Sequence, residues 1–256
     1  MNVFTASPPT HNHQFQLLFT CPNQPVRIRA CEDESINIMS INGTIQKYDF
    51  HTTNIELVGS TKGQPTDCYT LNERLFIVDV TWNNVLFIEK RTSNALLEPD
   101  SGLHFPLSIT GLNGYLYISD QTGIYSLSSD KFLQKLAEIR GITALTTNHE
   151  SIFAACSQDN VIFCLRPGYE PVIWAKNLFG CSRIVDICTG PAGSILAVCE
   201  GISEGGFLQV ISRYGVPTAV VNLPGVPQSV CFCCEKIVVS IAEQKEIYWL
   251  GSTVFM

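Results

Sequence analysis

Acidic side chains recur at one kind of position in this sequence, at or just beyond the end of a short apolar run. The residues are Asp79, Asp120, Asp159, Glu200 and Glu243. If the apolar runs are equivalent strands of a repeated fold, their ends meet at one face. Clustered carboxylates would focus a negative field there and attract a cation or a basic peptide. The alternative is local, because an Asp side chain often accepts hydrogen bonds from the amides of its own turn.

Trp82 follows Asp79 in a polar turn, where the repeat predicts exposure on the same face. Tryptophan is enriched among interface anchors because it buries a large area at a small cost in rotamer freedom. Further candidates for this surface are His104, Phe105, Phe179 and Arg183. The expected use is the binding of another protein or a peptide, with a basic segment as the natural match for the acidic positions. The alternative for Trp82 is a role in core packing.

The cysteines suggest packing rather than chemistry. The chain has 11 of them, without the spacing of a disulfide scaffold. Cys231, Cys233 and Cys234 form a C-F-C-C segment, but a zinc site needs a second pair of ligands. We therefore expect free cysteines that mostly fill the core, and Cys234, in a turn, is predicted to be the most reactive thiol.

Catalytic motifs are missing from the sequence. It contains no P-loop, G-x-G-x-x-G or H-E-x-x-H segment. We therefore assign no catalytic residue, metal ligand or cofactor. The formal net charge of -7, with 16 Lys and Arg residues that are dispersed, argues against a nucleic-acid partner. We find no secretory signal and no apolar segment free of proline that could span a membrane, so a cytoplasmic location is expected.

An internal repeat organises the chain. Two short β-rich runs separated by a polar turn recur about every 40 residues, which is typical of a β-propeller. The first runs of the pairs are Ile36–Ile41, Leu75–Val80, Tyr115–Ser119, Ile152–Cys156, Ile195–Cys199 and Ile237–Ile241. The second runs are Thr44–Asp49, Val85–Glu89, Gly123–Leu127, Val161–Leu165, Phe207–Ile211 and Glu246–Leu250. Asn42-Gly43 joins two runs and favours a type I′ turn, whereas Lys131–Arg140 is interpreted as a loop plus a fourth strand.

The fold class predicted from this pattern is all-β, a six-bladed propeller of four-stranded blades. Gln14–Thr20 precedes the first full repeat and is expected to add a strand to the last blade, which closes the ring and removes an exposed sheet edge. Residues 1–13 are predicted to be a flexible tail, and 14–256 a single, monomeric domain. Seven blades or an open sandwich are the alternatives.

Two segments carry a family resemblance. RLFIVDVTWNNVLFIEK (Arg74–Lys90) and GYLYISDQTGIYSLS (Gly114–Ser128) resemble NHL repeats and the related gluconolactonase and strictosidine-synthase-like propellers. The enzymes among these hold a divalent metal in the central channel with Glu, Asn and Asp side chains from different blades. This sequence has no Gly-Glu-x-Pro, Pro-Asn-Gly or Pro-Asp-Gly segment, so no such ligand is carried over to it.

These observations favour a protein-interaction or scaffold module that is not an enzyme and that uses the loop face of the propeller. The alternative is a metal-dependent hydrolase or lactonase with its site in the channel. A part of a larger scaffold is a third hypothesis, which the sequence does not separate from the first.

Overall fold

The computed structural model describes residues 15–97, 100–202 and 205–251. The described chain is built from β-strands with one turn of 3-10 helix at Pro191–Gly193. The first twelve strands are β1 (Gln16–Thr20), β2 (Pro25–Ala30), β3 (Ser35–Ser40), β4 (Thr44–Asp49), β5 (Ile55–Ser60), β6 (Pro65–Leu71), β7 (Arg74–Asp79), β8 (Asn84–Glu89), β9 (Thr92–Ala95), β10 (Ser108–Leu112), β11 (Tyr115–Ser119) and β12 (Ile124–Leu127). The others are β13 (Leu133–Ala137), β14 (Ile142–Thr147), β15 (Ile152–Cys156), β16 (Val161–Leu165), β17 (Val172–Ala175), β18 (Cys181–Thr189), β19 (Ile195–Gly201), β20 (Gly206–Ile211), β21 (Pro217–Asn222), β22 (Pro227–Cys233), β23 (Lys236–Ile241) and β24 (Glu246–Gly251).

Consecutive strands pair in antiparallel order as four-stranded units. Strands β10 to β13, β14 to β17 and β18 to β21 form three separate sheets. Strands β2 to β5 and β6 to β9 form two further runs, joined into one eight-stranded sheet by a single parallel pair, Ser60 with Thr92. The last sheet has the order β1-β24-β23-β22, so the first strand of the chain completes the last unit.

The all-β prediction is confirmed, and the paired runs of the sequence repeat correspond to real strands. Tyr115–Ser119, Ile152–Cys156, Thr44–Asp49 and Val161–Leu165 are strands with the expected bounds. The segment interpreted as a loop plus fourth strand contains β13. The expected N-terminal strand begins at Gln16, whereas residues 1–13 lie outside the described part of the chain.

Tight turns that contain residues with a positive φ join several pairs of strands. Asn42-Gly43 is not the predicted type I′ turn, because only Gly43 has a positive φ, of 82°. Its geometry comes instead from the Asn42 side chain, which accepts a hydrogen bond from the Thr44 amide at 3.2 Å. Two-residue turns with positive φ at both positions do occur elsewhere, at Asn113-Gly114 and, without glycine, at Cys234-Glu235.

The first strands of the units face one another around a common axis. Strand β2 contacts β6, β6 contacts β10, and the series continues through β14, β18 and β22 back to β2. Apolar residues from neighbouring units pack between the sheets. For example, Ile28 and Ile38 of the first unit share a cluster with Val238 and Ile247 of the last. Because each sheet is covered on both sides, few interior positions need a charged residue.

We use two names for the ends of this arrangement. The upper face carries the starts of β2, β6, β10, β14, β18 and β22, together with the turns that join the second and third strands of each unit. The lower face carries the ends of those six strands, the turns that follow them, and the turns that join the third and fourth strands of a unit, such as that between β20 and β21.

Strand β1 adds to the contact between the last unit and the first, since the centroids of the Phe19 and Tyr48 rings lie 5.1 Å apart. We expect a chain beginning at Cys21 to lose at least about 2 kcal/mol of unfolding free energy relative to one beginning at Phe15, which keeps β1. Urea unfolding followed by circular dichroism measures the difference. Equal midpoints for the two chains would show that β1 does not stabilise the fold.

Candidate functional site

Equivalent residues of the inner strands meet on the axis. In five of these strands the register shifts next to the same position, at Pro25/Arg27, Pro65/Asp67, Ile142/Ala144, Ile184/Asp186 and Pro227/Ser229. A β-bulge bends the strand and re-aims the side chain beside it. The residues after the shift, with Ser108 of β10 at the corresponding place, are Arg27, Asp67, Ala144, Asp186 and Ser229. Their side chains fill the middle of the channel.

Arg29 forms the centre of this axial cluster. Its Nη2 donates to Asp67 Oδ2 at 2.9 Å and to Asp186 Oδ1 at 3.0 Å, and its Nη1 donates to Asp186 Oδ2 at 2.8 Å. Both carboxylates are fully buried. The two serines complete the cluster, because Ser108 donates to Asp67 and Ser229 donates to Asp186. One guanidinium group therefore ties together inner strands from several units.

Arg27 lies across the channel next to this cluster, on the upper side. Its Nη1 approaches Asp186 Oδ1 at 2.9 Å, while its Nε and Nη2 donate to the carbonyl groups of Thr66 and Thr143 at 3.2 and 3.3 Å. Arg27 is only 7% exposed. Its guanidinium group thus forms the floor of the channel as seen from the upper face.

The charges in the axial cluster balance, two arginines against two aspartates. Burial of Asp186 alone would raise its pKa, but Arg27 and Arg29 together with the Ser229 hydrogen bond lower the pKa of Asp186 to about 2. Opposing charges likewise hold the pKa of Arg29 well above its usual value, against the effect of its burial. The carboxylate stays ionised because its hydrogen bonds and counter-charges replace water.

A divalent cation does not fit between Asp67 and Asp186. Asp67 Oδ2 already accepts bonds from Arg29, Ser108 and the Ile109 amide, and Asp186 Oδ2 accepts from Arg29, Ser229 and the Val230 amide. A metal there would compete for occupied lone pairs beside two guanidinium cations. Over residues 15–97, 100–202 and 205–251, no group of three Asp, Glu, His or Cys side chains could hold a metal ion elsewhere.

Above Arg27 the channel opens into a cup of about 260 Å³, which we call the upper mouth. The residue immediately before each of the six axial residues lines it, and Gln64 and Arg183 add polar groups at the rim. The residues at these six equivalent positions are Val26, Thr66, Leu107, Thr143, Val185 and Gln228. Arg183 is 54% exposed and pairs with Glu200.

The structure does not place Asp79 and Asp120 at the surface, which corrects the expectation of an exposed acidic ring. Both are fully buried. Asp79 accepts from the Thr81 and Trp82 amides, and Asp120 accepts from the amides of Thr122, Gly123 and His104. Burial raises the pKa of Asp79, and the amides act against that rise. These two carboxylates therefore hold loops in place by accepting hydrogen bonds from their amides, which is the alternative to an exposed acidic ring given in the sequence analysis.

The other acidic candidates are more accessible but do not form a continuous group with them. Asp159 is exposed and its Oδ2 lies 3.6 Å from the Cys156 sulfur. Glu200 is half-buried in its pair with Arg183, and Glu243 is exposed in the turn between β23 and β24. Of the five predicted carboxylates, only Asp159 and Glu243 are exposed to a partner.

Two of the aromatic candidates, Trp82 and Phe105, lie on segments that are hydrogen-bonded to each other. Trp82 and Phe105 are each 50% exposed, and His104 is also exposed. The Phe105 amide donates to Asn83 Oδ1 at 2.8 Å, so the loop before β10 is tied to the turn that carries Trp82. Phe105 has a φ of 53°, a left-handed conformation that costs a bulky residue roughly 1–2 kcal/mol. The hydrogen bond to Asn83 therefore helps to hold the segment that carries the exposed Phe105 ring.

Eight of the 11 cysteines are buried and three are partly exposed, as expected for thiols that fill the core. Cys234 is one of the partly exposed three, with its sulfur 3.6 Å from that of Cys233. The sequence did not single out Cys181, whose pKa is lowered because the Cys199 thiol donates a hydrogen bond to its sulfur, although partial burial opposes this. Only the pairing of β18 with β19 brings these two residues together.

Comparison with solved structures identifies the fold as a β-propeller. The chain superposes on a gluconolactonase from Xanthomonas campestris with a TM-score of 0.80 and 11% identity, over 96% of this chain and 94% of that one. It matches regucalcin, a calcium-binding protein from Agrobacterium tumefaciens, with a TM-score of 0.76 and 12% identity, over 93% and 94%. The β-propeller domain of Cps50 (Swd1) from Myceliophteria thermophila gives 0.67 and 12%, over 90% and 98%.

No protein-family model and no curated protein sequence matches the chain. The predicted resemblance to the gluconolactonase-like propellers is confirmed at the level of structure. In the part of the chain described, no helix has the length and apolar character needed to cross a membrane.

The axial cluster predicts a specific pH dependence. The pKa of Asp186 is about 2 in the folded protein, below the value of about 3.9 in an unfolded chain. Its ionisation therefore contributes stability, about 2 kcal/mol, that is complete above about pH 5 and is lost as the pH falls from there towards 2. Urea unfolding of the wild-type chain between pH 7 and pH 2.5 measures this loss.

The matched variant is Asp186→Asn, which leaves the buried Arg27 and Arg29 without half of their counter-charge. We expect it to be destabilised by about 3–5 kcal/mol at pH 7 and to lose less stability than the wild type between pH 4 and pH 2.5. Parallel pH profiles for the two proteins would contradict this description of the cluster.

Cys181 is expected to react first when the folded protein is treated with iodoacetamide at pH 7.5, because alkylation requires the thiolate. Mass spectrometry of tryptic peptides gives the order of labelling. Cys199→Val removes the hydrogen-bond donor and should slow the labelling of Cys181. If Cys234 reacts first and the Cys199 variant labels at the wild-type rate, the lowered pKa of Cys181 is refuted.

Proposed function

We propose that this chain is a binding module that recognises another protein through the upper face of the propeller. The observation that carries the proposal is the pair Trp82 and Phe105, two half-exposed aromatic rings on loops joined by the Asn83–Phe105 hydrogen bond. Exposed aromatic anchors held rigidly are typical of interface hot spots. The strained backbone of Phe105 supports the proposal, because strain at a surface residue often has a functional reason.

The proposed binding surface depends on the number of blades and on closure of the ring. We infer six four-stranded blades, with the ring closed by β1 on the edge of the last blade. The antiparallel pairing of β1 with β24 and the contact of β22 with β2 support this arrangement. A closed ring gives the loops of the upper face fixed relative positions, which a binding surface made of several loops requires.

An enzyme acting at the upper mouth is the second candidate. It is favoured by the structural likeness to a gluconolactonase, which the main proposal does not explain. A metal held by Asp67 and Asp186 is not part of this candidate, since Arg29 uses their oxygen atoms. A reaction would have to take place in the cup above Arg27, with Arg183 and the Gln64 and Gln228 amides as its polar groups.

The binding proposal is tested with a double variant, Trp82→Ser with Phe105→Asn. Asparagine tolerates the left-handed conformation at position 105, so thermal stability should stay close to that of the wild type. Affinity for a partner recovered by cross-linking in cells and identified by mass spectrometry should fall at least about 10-fold, measured with purified proteins.

Tyr214→Ser is the matched control, because Tyr214 is 72% exposed and lies on the lower face. Unchanged affinity in the double variant, or equal weakening by the control, would refute the use of the upper face. Hydrolysis of an aldonolactone by the purified wild-type chain, lost in Arg183→Ala but not in Arg213→Ala, would instead establish the enzyme.

A further inference from the structure

The upper mouth offers hydrogen-bond donors rather than carboxylates. Arg27 forms its floor, Arg183 stands at its rim, and the amide side chains of Gln64 and Gln228 lie between them. None of the described residues that line the mouth is Asp or Glu. Arg27 lines the cup whereas Asp67 and Asp186 do not, so the guanidinium group is the nearer charge for anything that enters the cup.

Arg183 can exchange its partner at little cost. Its ion pair with Glu200 is at the surface, with 54% of the Arg183 side chain and 30% of the Glu200 side chain exposed. Exposed pairs of this kind contribute about 0–1 kcal/mol. A carboxylate held in the cup would meet a less hydrated guanidinium group and form charge-assisted hydrogen bonds, which are stronger.

Exposed acidic residues occur on both faces, but those on the upper face, such as Asp159 and Glu243, do not line the mouth. A series of exposed acidic residues occupies the lower-face turns after β2, β6 and β22, namely Glu32, Asp33, Glu34, Glu73 and Glu235. The upper mouth is at the other ends of the same strands. At physiological salt the Debye length is about 8 Å, so these charges are largely screened from a ligand at the mouth.

The mouth is continuous with the aromatic pair. Gln64, at the rim, accepts a hydrogen bond from the Val80 amide with its backbone carbonyl and donates one from its backbone N–H to the Thr81 hydroxyl at 2.9 Å, next to Trp82. Leu107 lines the mouth two residues after Phe105. One protein segment can therefore reach the cup and the aromatic rings together.

We propose that the upper mouth binds the carboxylate of an Asp or Glu side chain from a partner protein, with Arg183 turning from Glu200 to that carboxylate. This rests on the proposed function and specifies its partner as a segment with an acidic residue beside apolar ones. It reverses the basic partner that the sequence suggested, because two of the five carboxylates behind that expectation, Asp79 and Asp120, are buried and a third, Glu200, is paired with Arg183.

The probe is an array of random peptides bound by purified, labelled protein in 150 mM NaCl. Asp and Glu should be enriched among the peptides that the wild type binds, with apolar residues nearby. For the strongest of them, replacement of the acidic residue by its amide should weaken binding about 10-fold. Enrichment of Lys or Arg, or binding that is indifferent to the amide replacement, would overturn the inference.

Three variants test whether the acidic peptide binds at the upper mouth. Arg183→Ala should weaken binding of the acidic peptide about 10-fold, and Glu200→Gln, which frees Arg183, should strengthen it a few-fold. Arg213→Ala changes the net charge equally at an exposed site on the lower face and should have no effect. Equal effects of the two arginine variants would show non-specific attraction only and refute the site.

The double variant of Trp82 and Phe105 separates this inference from the proposed function. If it loses the natural partner while Arg183→Ala retains full affinity for that partner, the upper face binds protein but the carboxylate site is wrong. If both retain full affinity, the proposed function fails and the inference fails with it.

Discussion

The guanidinium group of Arg29 lies buried on the propeller axis between Asp67 and Asp186, and the packing of the inner strands depends on this arrangement. Each carboxylate would be costly to bury alone, and so would each arginine. Together with Ser108 and Ser229 they satisfy one another, and the residues involved come from strands that are far apart in the sequence. The cluster thus constrains how the inner strands are placed, because every member has a partner only when the strands surround the axis in one order.

The axial cluster also restricts where in the channel a ligand can bind. The chain shares its fold with a gluconolactonase and with a calcium-binding regucalcin, yet the oxygen atoms at the centre of its own channel are bound by arginine. Arg27 closes the channel below the upper mouth. What a ligand meets is a shallow cup with a cationic floor, next to the aromatic pair Trp82 and Phe105. A surface of this kind suits the recognition of a protein segment.

The sequence alone predicted the repeat, most of the strands and the exposed aromatic residues, because alternating apolar patterns and turn residues are local signals. The axial cluster was not predicted. Arg27 and Arg29 lie in a strand whose sequence is not unusual. The partners of Arg29, Asp67 and Asp186, are 38 and 157 residues away from it in the sequence. The prediction of an exposed acidic ring was wrong for a related reason. A carboxylate at the end of a strand looks the same in the sequence whether it faces solvent or, like Asp120, accepts hydrogen bonds from loop amides. The Cys181–Cys199 contact likewise requires the register of β18 and β19.

In this structure the chain fills the centre of its channel with its own arginine. An anomalous difference map from a crystal grown with Mn²⁺ is the direct test, because manganese binds carboxylates and scatters strongly. We expect no peak between Asp67 and Asp186, and clear density there for the Arg29 guanidinium group within about 3 Å of both side chains. A manganese peak at that position, with Arg29 displaced, would contradict it.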